Sequence, residues 1–404
     1  MKQIRKSIVL IILLFTFTPN IQAQFWKKLK KKAENTIVKK AEKEIDKKIN
    51  KKKKNNDKKI VEGNNKKTPK NDSIKIWRNF KFIPGEKVIF FDNLKYEEVG
   101  EFPSKWDLFE GGSEIALFNN QKVIIPTTKY TNAISPFFKK DNYLGNEFTI
   151  EFDIYIDDIN NINDWLDFKI FFTGTIKKYK SLGYGGDITI THRKNKVEGN
   201  IYTKDQRFYL ENINFGSKKS WHHISISYYK KKLKIYHNEK RIGNIPNFPT
   251  DIKGFTIVLE TPKSFDNRKL ATGIKNIRIA HGGGQMYKRI MSEGKYITNG
   301  ILFNSGKAKI KLQSMGIINK ITTVLKENPD WKMKIIGYTD SDGSANDNLK
   351  LSKKRADAVK QAIILQGISE TRLTTIGKGE NEPLNTNSTP EEKANNRRVA
   401  FIKI

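Results

Sequence analysis

The chain contains no cysteine among its 404 residues. This absence excludes disulfide bonds, thiolate nucleophiles and thiolate metal ligands, and we expect no lipid anchor attached through a cysteine. Histidine is also scarce, with five residues in the whole chain. We therefore expect each folded domain to depend on its hydrophobic core for stability.

Long apolar runs are scarce as well. Three basic residues precede the apolar run from Ile8 to Phe17, and Ala23 offers a small residue for cleavage shortly after it. This run is far shorter than the ~20 apolar residues that span a bilayer. A charged start, a short apolar run and a small residue together are typical of a secretory signal peptide. We therefore predict a signal peptide over residues 1–23 and export of the remaining chain.

Acidic residues are few relative to basic ones, and the formal net charge is +33. Between Gln24 and Lys70 there are 19 lysines and 6 acidic residues, a net charge of +13. Apolar residues recur every four positions from Leu29 to Ile49, which predicts a basic amphipathic helix. The following residues have too little apolar surface to fold. We therefore predict a lysine-rich amphipathic and disordered segment over residues 24–83.

The lysine-rich segment suits either an anionic partner or a role as a solvated spacer. We predict no nucleic-acid partner, because the chain is predicted to be exported. Anionic lipid headgroups or polymers of the cell envelope are better candidates for contact. Both the anionic surface and the spacer remain open as interpretations of this segment.

From residue 84 to residue 284 the sequence changes to short β-rich runs separated by turn residues. Little helical periodicity is present, and this pattern is typical of an antiparallel sandwich of two sheets. We predict such a domain over residues 84–284. The predicted strands include VIFFDNL, NEFTIEFDIYID, DFKIFFTG, GDITITH, VEGNIYT, WHHISISYY, KLKIYHNEKRIG, GFTIVLE and IKNIRIA.

One predicted hairpin in this region, WHHISISYYKKKLKIYHNEKRIG, resembles the concanavalin-like jelly rolls of laminin-G-type and lectin-like domains. The resemblance implies a jelly-roll sandwich with a glycan or a protein as its ligand. The residues that carry it are Trp221, His222, His223, Leu233, Ile235, Tyr236, Asn238 and Gly243.

Some jelly rolls of this class are glycoside hydrolases with three acidic residues on one strand. Here Glu151 and Asp153 share a face of a predicted strand, but Tyr155 occupies the next position on that face. Hydrolysis of a glycosidic bond by the usual route needs two catalytic carboxylates. The acidic residue that would supply the second one in this pattern is missing. We therefore predict no catalytic residues and expect Glu151 and Asp153 to face solvent. A secreted, wall-tethered glycoside hydrolase is the alternative.

The histidines show no pattern of metal ligands. His222 and His223 are adjacent in a predicted strand, so they point to opposite faces. The other three histidines lack ligand spacing. We predict no metal site and no cofactor, and leave calcium binding through oxygen ligands open. The run Gly282-Gly283-Gly284 is predicted to be a flexible hinge between domains.

An outer-membrane barrel is a further alternative for the middle region. Barrel strands need roughly ten-residue segments with an unbroken apolar outward face. The predicted hairpins are shorter and carry charges along their length, as in KLKIYHNEKRIG. This observation favours a sandwich.

Residues 285–404 alternate between strand and helix patterns, which predicts an α/β domain with helices packed on one mixed sheet. Pro329 and Gly367 follow the two helical patterns and are expected to end them. The predicted strands cover residues 301–310, 334–336, 373–376 and 399–404, and the predicted helices cover residues 315–325 and 351–363.

The most informative segment is GYTDSDGSANDNLKLSKKRA, from Gly337 to Ala356. It places Asp340 in a loop rich in small residues and Arg355 on the predicted helix that follows. A carboxylate can receive an ammonium group, and a guanidinium forks onto a carboxylate in bidentate geometry. This pair therefore suits a zwitterionic ligand.

The same segment resembles the peptidoglycan-binding domain of the OmpA-like family. The resemblance implies that Asp340 and Arg355 hold the diaminopimelate of the wall stem peptide, with Thr339, Asn348 and Arg397 supporting the pocket. Tyr338 stands where the family usually has histidine. The alternative is that Asp340 caps the helix and Arg355 joins a surface ion pair. The residues in register are Gly337, Thr339, Asp340, Gly343, Asn348, Leu351, Ser352, Arg355, Ala356 and Asn396 to Val399.

Together these features predict an exported envelope protein that binds peptidoglycan without catalysing a reaction and presents a lectin-like sandwich. The expected location is the periplasm or the outer membrane of a Gram-negative bacterium.

Overall fold

The computed structural model describes residues 80–140, 142–157, 165–173, 186–193, 196–203, 206–211, 213, 219–248, 252–266, 272–284 and 286–404. The predicted signal peptide and nearly all of the predicted lysine-rich segment lie outside these residues. Residues 80–83 are the exception. Phe80 and Phe82 are 1% and 0% exposed, so the predicted disordered segment ends before Phe80.

The middle region consists of two antiparallel sheets, as predicted. The first sheet has the order β13-β12-β11-β6-β15-β4-β3, and β1 also pairs with β15. Its strands are β1 (Lys87–Asp92), β3 (Ser113–Phe118), β4 (Gln121–Pro126), β6 (Glu147–Ile156), β11 (Ser220–Tyr229), β12 (Lys232–His237), β13 (Lys240–Ile245) and β15 (Thr272–His281).

The second sheet has the order β10-β9-β8-β7-β14-β5-β2. Its strands are β2 (Trp106–Glu110), β5 (Tyr130–Pro136), β7 (Trp165–Thr173), β8 (Asp187–Arg193), β9 (Lys196–Tyr202), β10 (Arg207–Tyr209) and β14 (Gly254–Thr261). The sequence interpretation missed β2 to β5 and β10. These strands are short, and β4 and β5 contain proline or asparagine, which weakens a strand pattern.

The two sheets pack face to face around one hydrophobic core. On β6 the residues Phe148, Ile150 and Phe152 are fully buried, and the ring centroids of Phe152 and Phe168 on β7 lie 5.1 Å apart. Burial of each such side chain contributes about 1.5–3 kcal/mol. The β-sandwich prediction is therefore confirmed, while its concanavalin-like identity stays a prediction.

The C-terminal region forms a mixed sheet with the order β16-β19-β17-β18, in which β17 and β18 are parallel. Its strands are β16 (Lys295–Thr298), β17 (Met333–Tyr338), β18 (Leu373–Gly379) and β19 (Val399–Lys403), and its helices are α1 (Met286–Glu293), α2 (Met315–Glu327), α3 (Ala345–Ile364) and α4 (Pro390–Asn396).

The helices α2 and α3 pack on one face of this sheet. Ile321 of α2 and Val359 of α3 share a core with Ile335 of β17 and Phe401 of β19. The positive φ of +95° at Gly367 follows α3, as expected for a helix end. The predicted arrangement of helices on one mixed sheet is confirmed.

One predicted strand of this domain is wrong. Residues 301–310 do not form a regular strand, and Phe303 and Ile310 meet in a single β-bridge. Between them the chain turns at Gly306, where φ is +62°. The edge strand beside β19 is β16.

The C-terminal domain packs directly on the sandwich. The Asn395 side chain acts like a neighbouring strand for β1, because its Oδ1 accepts from the Val88 N–H at 2.9 Å and its Nδ2 donates to the Val88 carbonyl at 3.0 Å. Glu391 accepts from the Phe91 N–H at 2.9 Å and from Lys105 Nζ at 2.8 Å. Helix α4 therefore covers the free edge of β1.

A buried arginine joins the two domains at the outer face of the first sheet. Arg278 of β15 is 4% exposed. Its guanidinium donates to Glu151 Oε1 at 2.6 Å, to the Gly85 carbonyl at 2.7 Å and to Asn299 Oδ1 of the C-terminal domain at 2.5 Å. This contact fixes the position of one domain on the other.

The predicted hinge at Gly282-Gly283-Gly284 is wrong. Gly282 N–H donates to the Glu147 carbonyl at 3.1 Å, and Gly283 N–H donates to Glu86 Oε2 at 2.9 Å. Positive φ angles of +91° and +95° at these two glycines permit this tight turn. The segment is therefore a packed turn at the end of β15.

Within the described part of the chain, no helix combines the length and the apolar character that crossing a membrane requires.

We predict that Gly316→Ala destabilises the protein by about 1–3 kcal/mol, as overpacking typically does. A Cβ at this position of α2 would lie 1.8 Å from the Phe82 carbonyl oxygen, so the residue 80–84 segment would have to move. Urea unfolding of the full chain measures the change. The control is Lys326→Ala, an exposed position on the same helix. Equal unfolding free energies for the two variants would contradict the prediction.

Candidate functional site

The loop after β17 is held against α3 by close backbone packing. A Cβ at Gly337 would lie 2.3 Å from the Ser352 carbonyl oxygen, so only glycine fits between strand and helix. Ser352 Oγ accepts from the Gly379 N–H and donates to the Leu349 carbonyl, both at 2.8 Å. These contacts explain why glycine and serine stand at these motif positions, and they bring Asp340 to the start of α3.

Asp340 is the second residue of this loop and is 9% exposed. Its Oδ2 accepts from Arg397 Nη1 at 2.5 Å. The guanidinium of Arg397 also lies over the ring of Phe91 from the sandwich, 5.5 Å from the ring centroid. Through this hydrogen bond Arg397 orients the carboxylate of Asp340.

Asn348 ties the loop together from the first turn of α3. Its Nδ2 lies 3.3 Å from the Asp340 carbonyl, 3.2 Å from the Asp342 carbonyl and 2.7 Å from Glu380 Oε2. These contacts position the loop backbone, and the role of Asn348 in ligand binding stays a prediction.

Arg355 is buried, with 8% exposure, and its guanidinium faces a cavity. Its Nε donates to the Lys307 carbonyl at 3.2 Å, and its Cζ lies 5.0 Å from the centroid of the Phe303 ring. Burial lowers the pKa of Arg355, Asp340 raises it and Arg397 lowers it again. A guanidinium nevertheless stays protonated in proteins. Among the described residues no acidic side chain forms an ion pair with Arg355.

The positions beside Asp340 are held by the framework. Thr339 is 3% exposed, its N–H donates to the Gly379 carbonyl at 2.8 Å, and its hydroxyl is buried without a hydrogen-bond partner in the described part of the chain. Tyr338 donates its hydroxyl to Glu382 Oε2 at 3.2 Å, and Arg398 lies 3.7 Å above its ring.

The structure rejects the alternative reading of Asp340 and Arg355. Helix α3 is capped by Ser344, whose side chain accepts from the Asp347 N–H at 3.2 Å. Asp340 is therefore not the cap. Arg355 is not part of a surface ion pair, because it is buried beside the cavity.

The cavity has a volume of about 180 Å³ and lies between the two domains. From the C-terminal domain it is lined by Phe303, Lys311, Arg355 and Arg397. From the sandwich it is lined by Phe91, Glu151, Asp153, His223, Asn276 and Arg278. No pattern in the sequence indicated that residues of the sandwich would line this site.

The expectation that Glu151 and Asp153 face solvent is wrong. Glu151 is 2% exposed and paired with Arg278, and Asp153 Oδ1 lies 2.7 Å from His223 Nδ1. Asn276 Nδ2 donates to Asp153 Oδ2 at 2.6 Å. Strand alternation places these side chains on the outer face of the sheet, but the C-terminal domain covers that face.

The charges of this network reinforce one another. Burial alone would raise the pKa of Glu151, but Arg278 and His223 outweigh it and lower the pKa. The pKa of Asp153 is likewise lowered, because His223 outweighs burial. Burial alone would lower the pKa of His223, but its hydrogen bond with Asp153 and the Glu151 carboxylate 3.8 Å from its Nε2 raise the pKa to about 9. All three groups are therefore charged at neutral pH, whereas a catalytic acid needs a raised carboxyl pKa.

The prediction that His222 and His223 face opposite ways is confirmed. His222 Nδ1 lies 3.0 Å from His237 Nε2, whereas His223 faces Asp153 on the other side of the sheet. Burial lowers the pKa of His222 to about 3 and that of His237 to about 4. Within the described ranges no group of three histidine or acidic side chains is placed to hold a metal ion.

The mixed sheet, its helices and the Asp340 loop define a small α/β domain with a charged pocket. Residues 302–397 match the OmpA family, so the chain contains an OmpA-family domain at its C-terminal end.

Two relatives and one solved structure are each similar to about a quarter of the chain. YiaD of Escherichia coli (strain K12) is 43% identical over 101 residues, which cover 25% of this chain and 46% of YiaD. The peptidoglycan-binding protein ArfA of Mycobacterium tuberculosis (strain H37Rv) is 36% identical over 107 residues, which cover 26% of this chain and 33% of ArfA. The chain thus spans less than half the length of either relative. The structure of the peptidoglycan-associated lipoprotein from Burkholderia pseudomallei is 26% identical, with a TM-score of 0.25, and covers 26% of this chain and 88% of that one.

We predict that His223 stabilises the protein in a pH-dependent manner. Its pKa rises from 6.5 to about 9 on folding, so its contribution is complete below pH 6.5 and is lost as pH rises through 9. Because one pKa unit corresponds to about 1.4 kcal/mol, we expect a contribution of about 3–4 kcal/mol.

Urea unfolding of the wild type and His223→Gln between pH 6 and pH 10 measures this contribution. The difference in unfolding free energy between the two proteins should shrink as pH rises. His222 and His237, whose pKa values are lowered, affect stability below pH 6.5 and so leave this window clear. A constant difference from pH 6 to pH 10 would contradict the prediction.

Proposed function

We propose that this protein binds peptidoglycan non-covalently through the pocket formed by Asp340 and Arg355. The observation that carries this proposal is the buried Arg355 guanidinium, which faces the cavity without an acidic partner among the described residues. A buried charge is costly unless an opposite charge and hydrogen bonds compensate it. A ligand carboxylate in the cavity would supply both.

The ligand is the diaminopimelate residue of the stem peptide. Its free carboxylate binds Arg355 in a bidentate manner, and its ammonium group approaches Asp340. Arg397 contacts one carboxylate oxygen of Asp340, which leaves the other oxygen for the ligand. The OmpA-family match and the similarity to a protein named for peptidoglycan binding support this assignment.

The protein acts in the cell envelope as a binding protein, in the periplasm or at the outer membrane. The predicted signal peptide would export the chain, and peptidoglycan is reached only after export. The sandwich adds a second binding domain, for which the resemblance to lectin-like domains favours a glycan or a protein. The lysine-rich segment would contact an anionic envelope surface or provide reach.

A wall-tethered glycoside hydrolase is the second candidate, because Glu151 and Asp153 line the same cavity. The lowered pKa values of both carboxyls argue against it. Neither group would be protonated at neutral pH, and glycoside hydrolysis needs one protonated carboxyl as the general acid. Binding without turnover is therefore the better account.

We predict that Arg355→Ala and Asp340→Ala each weaken co-sedimentation with purified peptidoglycan. Each variant leaves one ligand charge unpaired in a partly buried pocket, which costs about 2–5 kcal/mol, or roughly thirty- to several-thousand-fold in affinity. The matched control is Lys354→Ala, which removes an exposed positive charge from the adjacent position of α3. Thermal unfolding monitors the fold of each variant. Co-sedimentation by both site variants at the level of the control would refute the assignment.

A further inference from the structure

The cavity beside Arg355 is closed on one side by the sandwich. Hydrogen bonds hold the side chains of this sandwich wall in place. Glu151, Asp153 and His223 lie on the outer face of the first sheet, on adjacent strands in direct register at His223 and Asp153. Covered charged side chains on the outward face of a strand are unusual unless they are paired. Their arrangement therefore calls for an explanation beyond the packing of the sandwich.

Most charges around the cavity form pairs. Arg397 pairs with Asp340, Arg278 pairs with Glu151, and His223 pairs with Asp153. Lys311, Arg355 and Arg398 also line the cavity, and within the described ranges none of the three forms an ion pair. The C-terminal wall is therefore cationic, and the sandwich wall opposite it carries an anion, Asp153.

Asp153 is more exposed than Glu151. The side chain of Asp153 is 19% exposed, whereas that of Glu151 is 3% exposed. Asp153 accepts one hydrogen bond at each oxygen, from His223 and from Asn276. An ionised carboxylate offers about four acceptor positions, so about two remain for a ligand. Asp153 is therefore a fixed and partly open carboxylate.

We propose that the ligand site is shared by the two domains, with Asp153 of the sandwich accepting a hydrogen bond from a nitrogen donor of the same peptide that Arg355 holds. The donor is the amide N–H or the second ammonium group next to the zwitterionic end. His223 and Asn276 are positioning residues that fix the Asp153 carboxylate. This inference rests on the proposed binding of stem peptide.

Three contacts hold the sandwich wall in place. Arg278 bridges Glu151 to Asn299, Asn395 pairs with Val88 of β1, and Phe91 of β1 lies against Arg397. Arg397 in turn orients Asp340. These contacts fix the sandwich wall relative to the C-terminal wall, and the cavity of about 180 Å³ between the two walls admits a group of the size of one amino acid.

Calorimetry with the full-length protein and two soluble probes tests this proposal. The probes are free meso-diaminopimelate and the stem tripeptide L-Ala-γ-D-Glu-meso-diaminopimelate. For Asp153→Asn we expect a roughly ten- to hundredfold loss of affinity for both probes, because hydrogen bonds to a charged group are strong. The control is Asp157→Asn, which removes the same charge just beyond the end of β6 and outside the cavity lining.

The outcomes are distinguishable. If the wild type binds the probes, Arg355→Ala does not, and Asp153→Asn binds like the wild type, then the shared site is wrong and the wall-binding function stands. If the wild type binds neither probe, both proposals fail. Because Asp153→Asn could perturb folding, the carboxyl ¹³C resonance of Asp153 in the wild type provides a second measurement. A shift of this resonance on addition of the tripeptide supports the shared site, and an unchanged resonance at saturation overturns it.

Discussion

The buried guanidinium of Arg278 is the contact on which the geometry of the site depends. It bonds simultaneously to a carboxylate of the sandwich, to a backbone carbonyl near the start of β1 and to Asn299 of the C-terminal domain. Loss of one partner from a buried ion pair typically costs about 3–5 kcal/mol, because the other charge stays buried and unpaired. The C-terminal domain is thus held on the outer face of the first sheet, and the cavity exists because the two surfaces meet there.

Around that contact the two domains supply different kinds of rigidity. The Asp340 loop owes its shape to close backbone packing at Gly337 and to the hydrogen bonds of Ser352 and Asn348. The sandwich wall owes its shape to a regular sheet, in which alternation places Glu151 and Asp153 on one face. Fixed positions of charged groups favour binding, because little side-chain freedom is lost when a ligand arrives.

The charges of the site fit a binding function. His223 stabilises two ionised carboxylates, and no carboxyl of this network has the raised pKa that acid catalysis requires. Arg355 forms no ion pair among the described residues, and it is buried and lines the cavity. A buried guanidinium without an acidic partner favours the binding of an anion.

The sequence by itself determined the local elements and the motif chemistry. Helical spacing identified α2 and α3, alternation identified β6, β11 and β12, and the motif from Gly337 to Ala356 brought Asp340 and Arg355 together on adjacent elements. These features depend on neighbours within about twenty residues, and periodicity and turn chemistry report such neighbours directly.

Only the tertiary structure decided what covers each face. Alternation indicated that Glu151 and Asp153 share a face but could not show that a domain more than a hundred residues later would bury it. Likewise, three consecutive glycines predict a hinge. In the structure, however, the N–H groups of Gly282 and Gly283 donate hydrogen bonds to Glu147 and Glu86. The reason is physical: the charge state and exposure of a side chain depend on contacts between residues distant in sequence, and local periodicity carries no information about such contacts.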